Sequence, residues 1–212
     1  MFNDRYDAGR QLAKEIQRRD FYLKDPVVVA LPKGGIPVAY NVAEELGFPI
    51  DSISLKKIGS PANPELAIGA VAEDGEVFYN EDIINHYGID QSEREELRER
   101  ARQEALQQAQ DLWGDRIAPD FTGKDVILVD DGIATGATVK AAIKLLRKKG
   151  VDQVILAMPV CSVQVWNELL SEVDSGVVLE EPRNLFAVGQ WYEHFTQTSL
   201  EEAQELLQKG KR

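Results

Sequence analysis

Asp125-Val126-Ile127-Leu128-Val129-Asp130-Asp131-Gly132-Ile133-Ala134-Thr135-Gly136-Ala137-Thr138 is the stretch that decides how this chain folds. Val126 to Val129 is an unbroken apolar run, too short for a helix and β-branched enough for a buried strand. Two adjacent carboxylates stop it. A turn of small residues follows, and Val139 to Lys149 then reads as a helix with Ala141, Ala142, Ile143, Leu145 and Leu146 on its apolar side. Where a strand passes through a short loop into a helix start, free backbone N–H groups and the positive end of the helix dipole converge, so an anion is favoured there. The loop Ala134-Thr135-Gly136-Ala137-Thr138 is therefore a candidate ligand-binding segment. Gly136 lets backbone approach the anion closely, and Thr135 and Thr138 add hydroxyl donors.

Asp130 and Asp131 argue against an ordinary phosphate loop, because carboxylates beside a phosphate repel it unless they face another part of the ligand. A sugar satisfies both demands. Its vicinal hydroxyls donate to carboxylates while a phosphate at its far end lies in the loop. Side chains on consecutive strand residues point to opposite faces, so the two acids need not share one task. The stretch resembles the phosphoribosyl-pyrophosphate signature of the type I phosphoribosyltransferases, departing at Gly132, where that family usually carries a larger apolar residue. The resemblance implies that the paired acids hold the ribose hydroxyls and the small-residue loop holds the 5′-phosphate. No Walker-type G-x-x-x-x-G-K-[ST] and no dinucleotide fingerprint after a strand are present, which counts against a phosphate-loop nucleotidase and a nicotinamide enzyme.

Working outward, Asp4 to Arg19 has the apolar spacing of a helix, with Ala8, Leu12, Ala13 and Ile16 on one face. Pro26 introduces a second buried strand, Val27 to Leu31, which ends in Pro32-Lys33-Gly34-Gly35. A helix from Ile36 to Leu46 follows and stops at Gly47. This is a second strand–loop–helix junction, now with a lysine in the nest. The lysine-Gly-Gly turn resembles the family's pyrophosphate loop, which implies a pyrophosphate contact through Lys33 and the amides of Gly34 and Gly35. It also implies a cis or strained peptide at Pro32–Lys33 or Lys33–Gly34. Asp51 to Ile58 reads as a third strand with Lys56 and Lys57 at its C-terminal end, the edge where open parallel sheets place ligands. That position makes at least one of Lys56 and Lys57 a candidate pyrophosphate ligand, and pleat alternation means that they should not both point inward.

Gly59 to Glu76 is rich in turn residues, and Ala67 to Ala72 and Glu76 to Tyr79 form a hairpin across Asp74-Gly75. Asn80 or Asp82 caps a short helix through Tyr87. Gln91 to Trp113 is a long charged helix with Ser92-x-x-Glu95 as a capping box. Its narrow stripe of Leu97, Ala101, Ala105, Ala109 and Leu112 suits core contact, cover for a site, or a second copy in a homodimer. After the signature helix come a strand from Gln153 to Met158 ending at Pro159, a helix from Ser162 to Glu172, a strand from Gly176 to Leu179, an aromatic cluster from Phe186 to Phe195, and a helix over Leu200 to Lys209. The alternation predicts an α/β fold with a doubly wound, mostly parallel sheet. The expected organisation is one domain over 1–212, with an insertion at 59–119 made of a hairpin flap and helices. Leu31 to Ala39, Pro64 to Val71 and Val188 to Tyr192 extend the resemblance to a branch of small bacterial proteins of the type I family, from Asp4 to about Glu201.

With 212 residues, 43% of them hydrophobic, the chain can bury a substantial core. Its single cysteine, Cys161, fits a reducing cytoplasm. No apolar run approaches a membrane span and no apolar signal region opens the sequence. The formal net charge of −12 disfavours a nucleic-acid surface, whose affinity rests on neutralising phosphates. An anionic sugar phosphate must be drawn in by a local positive site.

The resemblance implies binding of 5-phosphoribosyl 1-pyrophosphate with Mg²⁺, carried by the ligand and waters with Asp130 and Asp131 as further donors. It implies transfer of phosphoribose to a small nitrogenous acceptor with release of pyrophosphate. Asp130, Asp131 and Lys57 are then the candidate catalytic residues, and Lys33 joins Lys57 on the leaving group. Hypoxanthine–guanine members carry an aspartate where this chain has Ala134, which argues against a 6-oxopurine acceptor. Glu65 and Glu73 are candidates for the acceptor side, as are Trp191 and Tyr192 through stacking. His86 and His194 belong to no metal or triad spacing. The alternatives are a non-catalytic sensor of the same ligand and a phosphosugar hydrolase.

Overall fold

Asp4 accepts the Asp7 amide and so starts helix α1, Arg5–Arg19, whose buried side carries Ala8, Leu12, Ala13 and Ile16. Strand β1, Pro26–Ala30, leads through Leu31–Gly34 into α2, Gly35–Leu46, which ends on Gly47 in the left-handed region. Strand β2 is short, Ile50–Ser52, and is followed by β3, Leu55–Gly59, β4, Ala67–Ala72, and β5, Val77–Tyr79. Helices α3, Glu81–Tyr87, and α4, Gln91–Trp113, come next. The remaining elements are β6, Asp125–Val129, α5, Ala137–Lys148, β7, Gln153–Val160, α6, Val163–Leu170, β8, Ser175–Glu180, a short 3-10 helix at Val188–Trp191, and α7, Leu200–Lys209. The structure, a computed structural model, describes residues 1–61, 66–115 and 117–210.

The chain divides into two compact units, one of residues 1–52, 121–136 and 150–212, the other of residues 53–120 and 137–149. The first holds a parallel sheet of five strands in the order β2-β1-β6-β7-β8. Every residue of β6 is buried, as a strand covered on both faces requires. Helices α1 and α2 pack on each other, with α1 reaching β7 and β8 and α2 reaching β1, β6 and α7. The second unit holds an antiparallel sheet, β3-β4-β5, in contact with both α4 and α5. Its core contains Ile58, Ile68, Val71, Ile84, Ile89 and Ala101.

Three details depart from the sequence expectations. The strand expected over 51–58 is two strands in two different sheets. Ser54 breaks it, because both its backbone groups pair with Glu73: the Ser54 amide donates to the Glu73 carboxylate and the Ser54 carbonyl accepts from the Glu73 amide, each at 3.1 Å. Strand β7 runs through Pro159 rather than stopping there. Its pairing with β6 ends at Ala157, so a residue without an N–H at 159 breaks no bond of that ladder. Helix α4 is capped by Asp90, which accepts the Glu93 amide at 2.9 Å, and not by a box starting at Ser92.

Candidate functional site

The end of β6 and the β1–α2 turn meet in the first unit. A Cβ on Gly34 would lie 2.3 Å from Asp131 Oδ2, and a Cβ on Gly35 would lie 2.9 Å from both the Cα and the Oδ1 of Asp130. Real Cβ contacts are essentially never so short, so these two positions admit no side chain unless a neighbour moves. The lysine-Gly-Gly turn and the acid pair, about a hundred residues apart in sequence, thus form one surface. The peptide joining Pro32 to Lys33 is cis. Lys33 is half-buried in this turn. The Gly35 amide donates to the Leu31 carbonyl at 3.1 Å, and the Ile36 amide to the Lys33 carbonyl at 3.1 Å. The Gly34 amide donates to no backbone carbonyl among the described residues.

The two carboxylates are in unlike surroundings. Asp130 Oδ1 accepts the Asp131 amide at 2.8 Å. Asp131 Oδ2 accepts from Arg5, from Nε at 2.9 Å and in an ion pair with Nη2 at 2.8 Å. The Tyr192 hydroxyl donates to the Asp131 carbonyl at 2.5 Å. Burial pushes the Asp130 carboxyl well above the usual carboxylate range, and the charge of Asp131 pushes it further. Burial also raises Asp131, against the lowering effect of Arg5. Burial raises the Tyr192 phenol, with Asp131 adding to the effect.

Beyond the acids, Ile133 continues the sheet edge, its amide donating to the Val160 carbonyl at 2.9 Å. Gly132 is fixed by crowding: a Cβ there would lie 2.6 Å from Val188 Cγ1 and 2.8 Å from Val160 Cγ1. The two valines fill the room that a larger residue would take. Ala134 and Thr135 are exposed, whereas Gly136 is buried with φ +76°. Ala137 and Thr138 are exposed and open α5.

The other expected site residues lie on other elements. Lys56, half-buried, and Lys57, exposed, lie on β3 opposite Val71 and Ala70, in the antiparallel sheet and not on a strand of the parallel one. Glu65 lies outside the described residues. Glu73 is 5% exposed, its carboxylate spent in part on the Ser54 amide. Tyr192 is 5% exposed, its ring 5.4 Å from that of Phe2 and 5.0 Å from that of Phe195. Trp191 packs against the same cluster. Arg5 escaped the sequence reading altogether, and the signal was slight: a charged residue in the first turn of an amphipathic helix.

No group of three or more ligating side chains that could hold a metal exists among the described residues. The acid pair supplies two carboxylates, one of them already neutralised by Arg5. This donor set does not fit a protein-built Mg²⁺ cage, which takes more oxygen ligands. No helix among the described residues is long and apolar enough to cross a membrane.

In the first unit, a parallel α/β sheet thus brings two carboxylates beside the lysine-Gly-Gly turn. The family model described as phosphoribosyl transferase domain matches residues 2–189, and the chain belongs to that family. A Mycobacterium tuberculosis protein named "Putative phosphoribosyl transferase" is 39% identical over 212 residues, covering 100% of this chain and 47% of its own length. The chain therefore spans about half the length of the curated relatives it matches. A Thermus thermophilus protein of known crystal structure is 35% identical with a TM-score of 0.90, each chain covered completely, at 100%. A Mesorhizobium japonicum protein named "Adenine phosphoribosyltransferase" is 60% identical over 42 residues, 20% of this chain and 22% of that one.

Proposed function

We propose that the chain binds 5-phosphoribosyl 1-pyrophosphate and transfers its phosphoribosyl group to a nitrogenous base, releasing pyrophosphate. The observation that supports this reading is the close approach of Gly34 and Gly35 to Asp131 and Asp130, by which the lysine-bearing turn lies beside the acid pair. Each carboxylate has one oxygen engaged, Oδ1 of Asp130 and Oδ2 of Asp131. In this reading the other two oxygens, Asp130 Oδ2 and Asp131 Oδ1, meet two vicinal hydroxyls of a ribose. In this reading Lys33 and the Gly34 amide receive the pyrophosphate, and Gly35 contributes its lack of a side chain. The backbone of Ala134 to Thr138, where it opens α5, receives the 5′-phosphate.

The bond from the anomeric carbon to the pyrophosphate oxygen breaks and its electron pair leaves with pyrophosphate. A nitrogen lone pair of the acceptor forms the new bond, and the acceptor nitrogen then loses its proton to solvent water. Positive charge develops on the sugar beside two carboxylates, while the charge on the departing pyrophosphate meets Lys33. Mg²⁺, brought with the ligand, would neutralise part of the pyrophosphate charge. The stretch shared with an adenine phosphoribosyltransferase supports a base as acceptor. A cytoplasmic setting belongs to the same reading, with Cys161 buried and unpaired.

The test is pyrophosphate release from labelled 5-phosphoribosyl 1-pyrophosphate with Mg²⁺ and a panel of purines, pyrimidines and amines. Base-dependent release is the expected outcome. Release without any base would identify a hydrolase, and tight binding without release a sensor; either would overturn transfer.

A further inference from the structure

Arg5 is an unusual arginine in that it is only 9% exposed and its guanidinium is almost wholly occupied. Nε and Nη2 both lie on one oxygen of Asp131, Nη1 donates to the Thr196 carbonyl at 2.6 Å, and the guanidinium carbon sits 3.8 Å from the centre of the Phe195 ring. The segment that holds it is itself tied to the chain start. The Phe2 amide donates to the Trp191 carbonyl at 2.8 Å, and the Glu193 and His194 amides donate to the Phe2 and Asn3 carbonyls, each at 2.9 Å. Tyr192 in the same segment holds the Asp131 carbonyl. Tyr192, Phe195 and Thr196 lie past residues 2–189, the part that the family model matches. Asp131 is thus gripped at its carboxylate by Arg5 and at its carbonyl by Tyr192, both held by the segment 191–196.

We propose that Arg5, braced by Phe195 and Thr196, is a positioning residue that aims Asp131 at the ribose of the ligand. The inference rests on the proposed function. By taking Oδ2 through two nitrogens, Arg5 restrains that end of the carboxylate and presents Oδ1 to a ribose hydroxyl. It also cancels the charge that would otherwise stand beside Asp130 in a poorly solvated site. A lysine at this position would keep the charge but lose the fork, the Thr196 contact and the stacking on Phe195.

The test is calorimetric titration of the full chain with ribose 5-phosphate, pyrophosphate and 5-phosphoribosyl 1-pyrophosphate, comparing wild type with Arg5→Lys and Tyr192→Phe. Loss of one charge-assisted contact to the sugar corresponds to about 10–100-fold in affinity. Arg5→Lys should weaken both sugar ligands by about that factor and leave pyrophosphate unchanged, since the local charge is kept. Tyr192→Phe, which removes only a hydroxyl and keeps the aromatic cluster, should weaken the sugar ligands in the same pattern by a smaller factor. It decides the matter if the arginine variant does not fold. Equal affinities for all ligands in the variants would overturn the inference alone, as would equal weakening of all three. Failure of the wild-type chain to bind 5-phosphoribosyl 1-pyrophosphate would overturn the proposed function, and the inference with it.

Discussion

At the scale of single residues, the acid pair is held at a cost to stability. The Asp130 carboxyl binds its proton more tightly in the folded chain than in the unfolded one, where it titrates near its ordinary value of 3.8. The stability linked to this group is therefore complete below that value and is lost as pH rises through the raised folded value. Asp130→Asn removes the penalty. Urea unfolding should show the variant more stable than wild type by about 1–2 kcal/mol near neutral pH, with the gain vanishing towards about pH 4. Asp131→Asn should do the opposite, because it strips a buried Arg5 of its anion; removing one partner of such a pair typically costs about 3–5 kcal/mol. If both asparagine variants shift stability in the same direction at neutral pH, the asymmetry assigned to the pair is wrong. Gly136 is a second residue-scale case. Sequence alone marks it as a place for backbone to approach an anion, but its φ of +76° and a Cβ position 2.8 Å from Val165 Cγ1 show that it also serves the fold. Gly136→Ala should lower unfolding stability by about 1–3 kcal/mol even without ligand, and a thermal melt identical to wild type would refute this.

At the scale of elements, the two strand–turn–helix junctions were legible because each is one contiguous stretch whose strand period, turn residues and helix period change in order. What was not legible depends on contacts between distant residues. Arg5 reaches Asp131 across 126 positions, and Ser54 is turned out of the parallel sheet by Glu73, 19 residues later. A strand pattern over 51–58 holds no trace of that break, because alternation survives the change of sheet. Tyr192 is in sequence a candidate for stacking on the acceptor, yet its ring is closed in by Phe2 and Phe195 and its hydroxyl is used on a backbone carbonyl. The junction between β1, its turn and β6 gives the element-scale prediction. A methyl group on Gly35 would lie 2.9 Å from Asp130 Cα and 3.0 Å from the Val129 carbonyl oxygen, both backbone atoms that cannot rotate away. Gly35→Ala should therefore push α2 from β6 and cost about 1–3 kcal/mol, read by denaturant unfolding. It should also abolish binding of 5-phosphoribosyl 1-pyrophosphate. A variant with full stability and full affinity would show that the two elements are not in this register.

At the scale of the whole molecule, a chain of net charge −12 has to receive a ligand that is itself highly anionic. The global field opposes the encounter, whereas the attraction that holds the ligand is local, through Lys33 and backbone amides next to partly buried acids. The two effects respond differently to salt. Long-range repulsion is screened as the Debye length falls from about 30 Å at 0.01 M to about 8 Å at 0.15 M, while contacts inside a partly buried site are screened much less. Raising sodium chloride over that range should therefore speed association of 5-phosphoribosyl 1-pyrophosphate, at fixed free Mg²⁺, and change its dissociation little. A protein that steers anions by a basic surface shows the reverse, with association slowing steeply as salt rises. Stopped-flow binding traces at several salt concentrations separate the two. Association that slows with salt would mean that a positive field extends well beyond the site, which the overall acidity of the chain does not predict.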